Sequence, residues 1–114
     1  MAALLLGLGR VLVPTPGTPV VIPASAYSAI TPPSVHAFII QVLDTNVGKI
    51  YIGVTGLDKT TRANCLIVLP VPTTNSLPSF QVAVTMAANA LSLPMIRIDA
   101  DTANDGVIVS VMVA

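Results

Sequence analysis

Prolines exclude long helices from the first third of this chain. Six of the ten prolines lie in the first 33 residues, at positions 14, 16, 19, 23, 32 and 33. Each proline fixes φ and removes a backbone donor, so a long helix cannot form there. Proline is tolerated at sheet edges and strand starts. We therefore predict an extended N-terminal arm with possible edge strands at residues 1–33, followed by a β-sandwich domain at residues 34–114.

The arm also holds many aliphatic residues. Burial of apolar surface is worth about 25 cal/mol per Å², so leaving all of these side chains in water is costly. This cost favours docking of the arm over fraying. The candidate interface residues are Leu4, Leu5, Leu6, Leu8, Val11, Leu12, Val13, Val20 and Ile22.

Beyond residue 34 the apolar residues recur with the period of β-strands. Residues 35–43 are apolar on both alternating faces, which predicts a strand covered on both sides. Residues 49–55 alternate, which predicts one core face and one wetter face. The intervening residues 44–48 have turn chemistry, so we predict a hairpin between these two strands.

The remaining sequence predicts short strands and the connections between them. Residues 56–64 hold most of the local charge and predict an exposed loop. Residues 70–78 contain three prolines and predict a connection that crosses or caps the sheet. Residues 87–93 predict a short turn or loop, since a helix of that length is not stable alone. Further strands are predicted at residues 65–69, 80–86, 95–99 and 107–113, with a turn at 100–106 between the last two.

These segments define an all-β fold class. Six firm strands and one or two from the arm give about seven or eight strands, the number expected of an antiparallel β-sandwich or jelly roll. No strands alternate with long helices, which argues against an α/β fold. The predicted architecture is an antiparallel β-sandwich or jelly roll with an extended proline-rich N-terminal arm.

Charge is scarce. Charged residues make up 9% of the chain and hydrophobic residues 54%, against a typical charged fraction of about a quarter. Five basic and five acidic residues cancel without a basic cluster, so we expect no nucleic-acid partner. No apolar run reaches the roughly twenty residues that span a bilayer, so we expect no membrane partner. Large neutral surfaces on a folded domain mark contact with another macromolecule.

The side chains that carry chemistry are few. His36 is the single histidine, Cys65 is the single cysteine, and the chain has no glutamate. We therefore predict no enzyme, no catalytic residue and no cofactor. The oxygen ligands of Asp99, Asp101, Asn104 and Asp105 suit Ca²⁺, but their spacing differs from the EF-hand loop and favours an ordinary turn. Whether this turn binds a cation stays open.

Two stretches carry a resemblance to a known class of proteins. Residues 41–53 (QVLDTNVGKIYIG) resemble a strand-turn-strand segment of small tailed-phage head-associated proteins. Residues 91–100 (LSLPMIRIDA), followed by Asp105, Gly106 and Val107, resemble the closing hairpin of the same proteins. The two stretches cover about a third of the chain, and the proline-rich arm departs from the pattern.

The resemblance implies a capsid decoration, or cement, protein. Such a protein would lie on the outer surface of the virion, after assembly in the host cytoplasm. Its partners would be the major capsid protein and further copies of itself, as a homodimer or homotrimer. Two alternatives remain open. One is a tail or head-completion structural component, and the other is a jelly-roll module that binds a glycan or Ca²⁺.

Overall fold

The computed structural model describes residues 4–30, 34–83 and 91–113. The described chain is all-β, with two antiparallel four-stranded sheets and almost no helix, which fits a β-sandwich. This confirms the predicted fold class at that level. The ten strands are β1 Leu4–Val13, β2 Val20–Val21, β3 Ser34–Val35, β4 Ala37–Val42, β5 Ile50–Val54, β6 Cys65–Leu69, β7 Ser79–Ala83, β8 Leu91–Ser92, β9 Ile96–Ala100 and β10 Asp105–Val113.

The strands divide between two sheets, and apart from the step between β5 and β6 the chain passes from one sheet to the other at each connection between their strands. Sheet A has the order β1-β10-β4-β7, and sheet B has the order β2-β9-β5-β6. The short strands β3 and β8 pair with each other. Two 3-10 turns, at Ala24–Tyr27 and Leu93–Met95, are the described helical segments. The connections at 43–49, 70–78 and 101–104 each pass from one sheet to the other.

The core lies between the sheets and is almost entirely aliphatic. Alternate residues of the central strands point inward, because side chains of a strand alternate between its two faces. Each fully buried aliphatic side chain contributes about 1.5–3 kcal/mol relative to exposure. The inward residues with no more than 1% exposure include Val13, Ile22, Ile40, Val42, Ile50, Ile52, Ile98, Val107 and Val109.

The hairpin predicted around residues 44–48 is wrong, and so is the closing hairpin that the resemblance implies. β4 pairs with β10 and β7, whereas β5 pairs with β9 and β6, so the turn at 44–48 joins different sheets. β9 and β10 likewise lie in different sheets. Turn residues at 44–48 and 101–104 were read correctly as turns. A turn sequence does not determine whether the chain returns beside its own strand or crosses to the facing sheet.

The predicted coverage of two strands also needs correction. β4 is not covered on both sides, because Ile39 on its outward face is 43% exposed. The outward face of β5 was expected to be wetter, yet Tyr51 is buried there. The sandwich leaves one face of each sheet outside the core. What happens to each outer face then depends on whether a loop crosses it.

The N-terminal segment belongs to the sheets over much of its described length. β1 pairs with β10 along the edge of sheet A, and β2 pairs with β9 along the edge of sheet B. A bulge between Gly7 and Gly9 shifts the alternation by one residue, so Leu8 and Val11 both face the core. An extended arm separate from the sheets is therefore not confirmed, and the division at residue 33 stays a prediction.

The later strands follow the predicted spacing. β6 has the predicted bounds, and Phe80 and Val82 of β7 pack against the core as expected. Residues 84–86 of the strand predicted at 80–86, and part of the predicted turn at 87–93, lie outside the described residues. The connection at 70–78 crosses from sheet B to sheet A, in agreement with the prediction.

Candidate binding surfaces

The nine candidate interface residues take several positions. Leu5 and Leu12 point outward from β1, with Leu5 76% exposed. Leu6 and Val20 are half-buried against the core. Of Leu4, the structure describes only its place at the start of β1. The residues buried in the chain's own core are Leu8, Val11, Val13 and Ile22.

Leu5 and Leu12 belong to a larger surface, which we name the outer A face. Ile39 and Ile108 lie on the same face and are exposed, but they were not predicted as interface residues. The strand that holds Ile39 is apolar on both faces, and that pattern predicted coverage on both sides. The outer A face consists of Leu5, Gly7, Arg10, Leu12, Ala37, Ile39, Gln41, Ser79, Gln81, Ile108, Ser110 and Met112.

The outer A face is nearly without charge. Among the described residues, which include all five basic and all five acidic ones, only Arg10 lies on this face. A groove of about 300 Å³ lies on the half of this face where β4 starts and β10 ends. Small residues of three neighbouring strands line it, namely Gly7, Ala37 and Ser110, together with larger ones such as Ile39 and Met112. Its character is that of a surface for apolar contact.

The outer face of sheet B is covered in part by the chain itself, while Val21 and Leu66 stay exposed. The loop at residues 56–64, here called the lid, packs Leu57 over Gly53 of β5. The N–H of Val54 donates to the carbonyl oxygen of Asn64 at 3.0 Å, which fixes the lid to the strand. A Cβ at Gly53 would lie 2.1 Å from that same oxygen, so glycine is needed for this close approach.

Charged side chains surround Tyr51 beneath the lid. The phenol donates to the carboxylate of Asp101 at 3.0 Å, and Lys59 pairs with the same carboxylate at 3.2 Å. The Arg62 guanidinium lies 4.9 Å from the centre of the Tyr51 ring, within the range of a cation–π contact. Burial, the hydrogen bond to Asp101 and that carboxylate's charge raise the pKa of Tyr51, while the charge of Arg62 lowers it.

The acidic residues of the candidate cation turn have separate partners. Asp99 is 1% exposed and accepts from the N–H groups of Gly17 at 3.0 Å and Ala100 at 2.8 Å. Asp101 is bound to Tyr51 and Lys59, as described above. Over residues 4–30, 34–83 and 91–113, no group of three or more His, Cys, Asp or Glu residues could hold a metal ion. The geometry of these side chains is that of a turn and its anchors.

The last acidic residue of this group, Asp105, anchors a neighbouring loop. Its carboxylate accepts from the N–H groups of Val47, at 3.0 and 3.1 Å, and of Gly48, at 2.7 Å. Buried Asn46 exchanges two hydrogen bonds with the backbone of Gly106, at 2.8 and 2.9 Å. The loop at 43–49 is thus held at its centre, while the Val47 side chain stays 71% exposed.

Val47 lies at one end of the sandwich, which we name the loop end. The loops at 14–19, 43–49, 70–78 and 101–104 all meet there, because their flanking strands start or stop at that end. Val71 and Leu77, in the connection at 70–78, are also exposed. The loop end is the second region where exposed apolar side chains gather.

His36 and Cys65 take ordinary structural positions. His36 is half-buried at the bend between β3 and β4, and its backbone N–H donates to the carbonyl oxygen of Met112 at 3.0 Å. Cys65 starts β6, and its thiol lies 3.5 Å from the carbonyl oxygen of Ile67. In the described part of the chain, neither side chain is hydrogen-bonded to a second side chain with which it could form a nucleophile–base pair. The described residues include no helix long and apolar enough to cross a membrane.

Three comparisons with known proteins were made. A scan against protein-family models, a search of curated proteins and a search of solved structures each found no match to this chain.

Proposed function

We propose that this chain is a structural protein of a tailed-phage virion that decorates and stabilises the major capsid lattice through protein–protein contacts. Its partners would be the major capsid protein and further copies of the chain. The two stretches that resemble phage head-associated proteins support this setting. Residues 46–48 of the first stretch are hydrogen-bonded to Asp105 and Gly106 of the second, and we call this group the clamp. The clamp carries Val47, so the resemblance includes part of the loop end.

The strand pairing supports a jelly roll as the finer fold. With β3 and β8 set aside, eight strands remain. The first pairs with the eighth, the second with the seventh, the third with the sixth and the fourth with the fifth. These pairs alternate between sheets A and B, as in a ribbon rolled on itself. Eight strands in two sheets with this winding are typical of a jelly roll, a fold frequent in viral shells.

The observation that carries the proposal is the clamped Val47. Asp105 and Asn46 together hold the loop at 43–49 with five hydrogen bonds of 2.7–3.1 Å. A loop fixed in this way loses little further freedom when a partner binds, so more of the contact energy appears as affinity. The exposed tip is apolar, which suits a protein surface. We therefore assign the contact with the capsid to the loop end.

The test uses phage particles purified from a deletion strain, to which the purified chain is added back. We expect binding at a lattice-wide copy number and a particle more resistant to heat. Burial of valine is worth about 1.5 kcal/mol, so Val47→Ser is expected to weaken binding about tenfold. Cosedimentation measures the binding, and urea unfolding checks that the variant stays folded.

The matched control is Leu66→Ser, which removes an exposed side chain from β6 of sheet B. Leu66 is 55% exposed and lies away from the loop end, so the control is expected to bind as the unchanged chain does. A copy number of one ring per particle would instead indicate a tail or head-completion component. No binding to particles, or equal binding of Val47→Ser, would overturn the proposal.

A further inference from the structure

We infer that the outer A face is the contact between two copies of this chain, related by a two-fold axis that lies in the plane of the interface. This inference rests on the proposed function for its premise that the chain self-associates, and it adds the surface and the symmetry. A two-fold contact uses the same patch on both copies, so the patch must be complementary to itself.

The charge distribution meets this condition. A patch with several charges of one sign would repel itself, and a patch with mixed charges would need a fixed register. Arg10 is the one charge on the outer A face among the described residues. It lies on the edge strand β1, so a two-fold axis near the centre of the sheet keeps the two copies of Arg10 apart.

The shape of the face is also self-complementary. Leu5 projects from β1 and is 76% exposed, whereas the groove floor extends over β10 and β4 at Ser110 and Ala37. Leu5 itself forms part of one wall of the groove, and because neighbouring strands are about 4.8 Å apart it lies roughly 5–10 Å from the other two strands' Ser110 and Ala37. A two-fold axis directed along β10 places Leu5 of each copy over the groove of the other.

The available area fits a weak dimer. The strands of sheet A contain 10, 9, 6 and 5 residues. At about 16 Å² of sheet per residue, the face measures roughly 480 Å², or just under about 1,000 Å² for two copies. Specific interfaces begin at about this size. We therefore expect a dimer with micromolar affinity, which many copies on one lattice would reinforce.

Two variants test the contact from opposite sides. Leu5→Ser removes the projecting side chain. Gly7→Val fills the groove, and the monomer tolerates it because a Cβ at Gly7 has no other atom within 4 Å. The control is again Leu66→Ser. Sedimentation equilibrium from about 1 to about 500 µM measures the average mass, and urea unfolding verifies that each variant is folded.

The mass of the unchanged chain is expected to rise from 11.7 kDa towards twice that value with concentration. Both sheet A variants are expected to raise the dissociation constant at least tenfold, and the control to leave it unchanged. A persistent monomer, a trimer, or unchanged association of both variants would overturn the inference. A monomer that still binds particles defeats only this inference, whereas a dimer that never binds them defeats only the proposed function.

Discussion

The outer face of sheet B is covered in part by its own chain, with Val21 and Leu66 left exposed, whereas the outer face of sheet A exposes apolar side chains on three strands. On sheet B, the lid packs Leu57 against the strands and brings Lys59 and Arg62 to Tyr51. On sheet A, Leu5 and Ile39 remain exposed beside a groove. The chain therefore covers the surroundings of Tyr51 and Gly53 on one outer face and leaves the apolar side chains of the other exposed.

The charges follow the same division. Sheet B and its lid carry three of the five basic residues, Lys59, Arg62 and Arg97, and most of the ion-pair and cation–π contacts described above. Such contacts satisfy polar groups within one chain, and they are worth little individually at exposed sites. The outer A face has Arg10 as its one charge among the described residues, so its contact with a partner requires little desolvation of charge. The asymmetry suits a protein that works by apolar contact.

The largest effect expected from this comparison concerns two glycines. Gly53→Ala would place a Cβ 2.1 Å from the backbone oxygen of Asn64, and that oxygen is fixed by the N–H of Val54. Either the lid or the strand must move, so we expect the free energy of unfolding to fall by about 3 kcal/mol or more. Gly7→Ala, where nothing lies within 4 Å, is expected to be neutral or stabilising by about 0.5 kcal/mol.

Urea unfolding at a concentration where the chain is monomeric measures both values. Equal losses for Gly53→Ala and Gly7→Ala would mean that the lid does not press on sheet B. The contact of the lid with β5 would then contribute nothing that distinguishes the outer face of sheet B from the outer A face.

A smaller effect is expected when apolar side chains are shortened on each face. Leu57 is buried between the lid and sheet B, and its truncation to alanine should cost about 2 kcal/mol. Ile39→Ala on the outer A face removes a side chain that is already 43% exposed, so the monomer should lose less than about 1 kcal/mol. Urea unfolding at low protein concentration separates the two. A larger loss for Ile39 would show that the monomer itself covers the outer A face.

Much of the fold could be predicted from sequence, because the alternation of apolar and polar residues along a segment predicts a strand. β6 was predicted with its observed bounds, and the inward residues of β5 with their observed direction. Strand partners could not be predicted, because the period identifies a buried face without identifying the sheet. The clamp of Asn46 on Gly106 and of Asp105 on Val47 joins residues about sixty positions apart, and neither residue type reveals that partner.

The candidate surfaces were predicted less well, for a related reason. A strand that is apolar on both faces looks the same whether its outer side is covered by its own chain or left for a partner. Ile39 and Ile108 were therefore missed as surface residues. Tyr51 was assigned to a wetter face, since its cover comes from the lid, whose charged composition predicted an exposed loop. Burial by a loop depends on where the loop lies, and composition does not record that.

The smallest expected effect concerns the pH dependence of the covered face. Tyr51 titrates near pH 10 in the unfolded chain, and burial with the hydrogen bond to Asp101 raises its pKa in the folded chain. Above pH 10 the unfolded state therefore loses this proton first. The stabilising contribution is fully present below pH 10 and is lost as the pH rises through the folded-state pKa.

Tyr51→Phe removes the titrating phenol. It should lower the stability at pH 8 by about 1 kcal/mol or less, which is the net value of a hydrogen bond. It should also reduce the decline in stability between about pH 9 and pH 11. Tyr27→Phe is the matched control, because Tyr27 is the other tyrosine and packs against the core between the sheets. Urea midpoints across this pH range measure both variants. If Tyr51→Phe declines as steeply as the unchanged chain, the phenol is open to water at high pH, and the lid does not seal sheet B as its contacts imply.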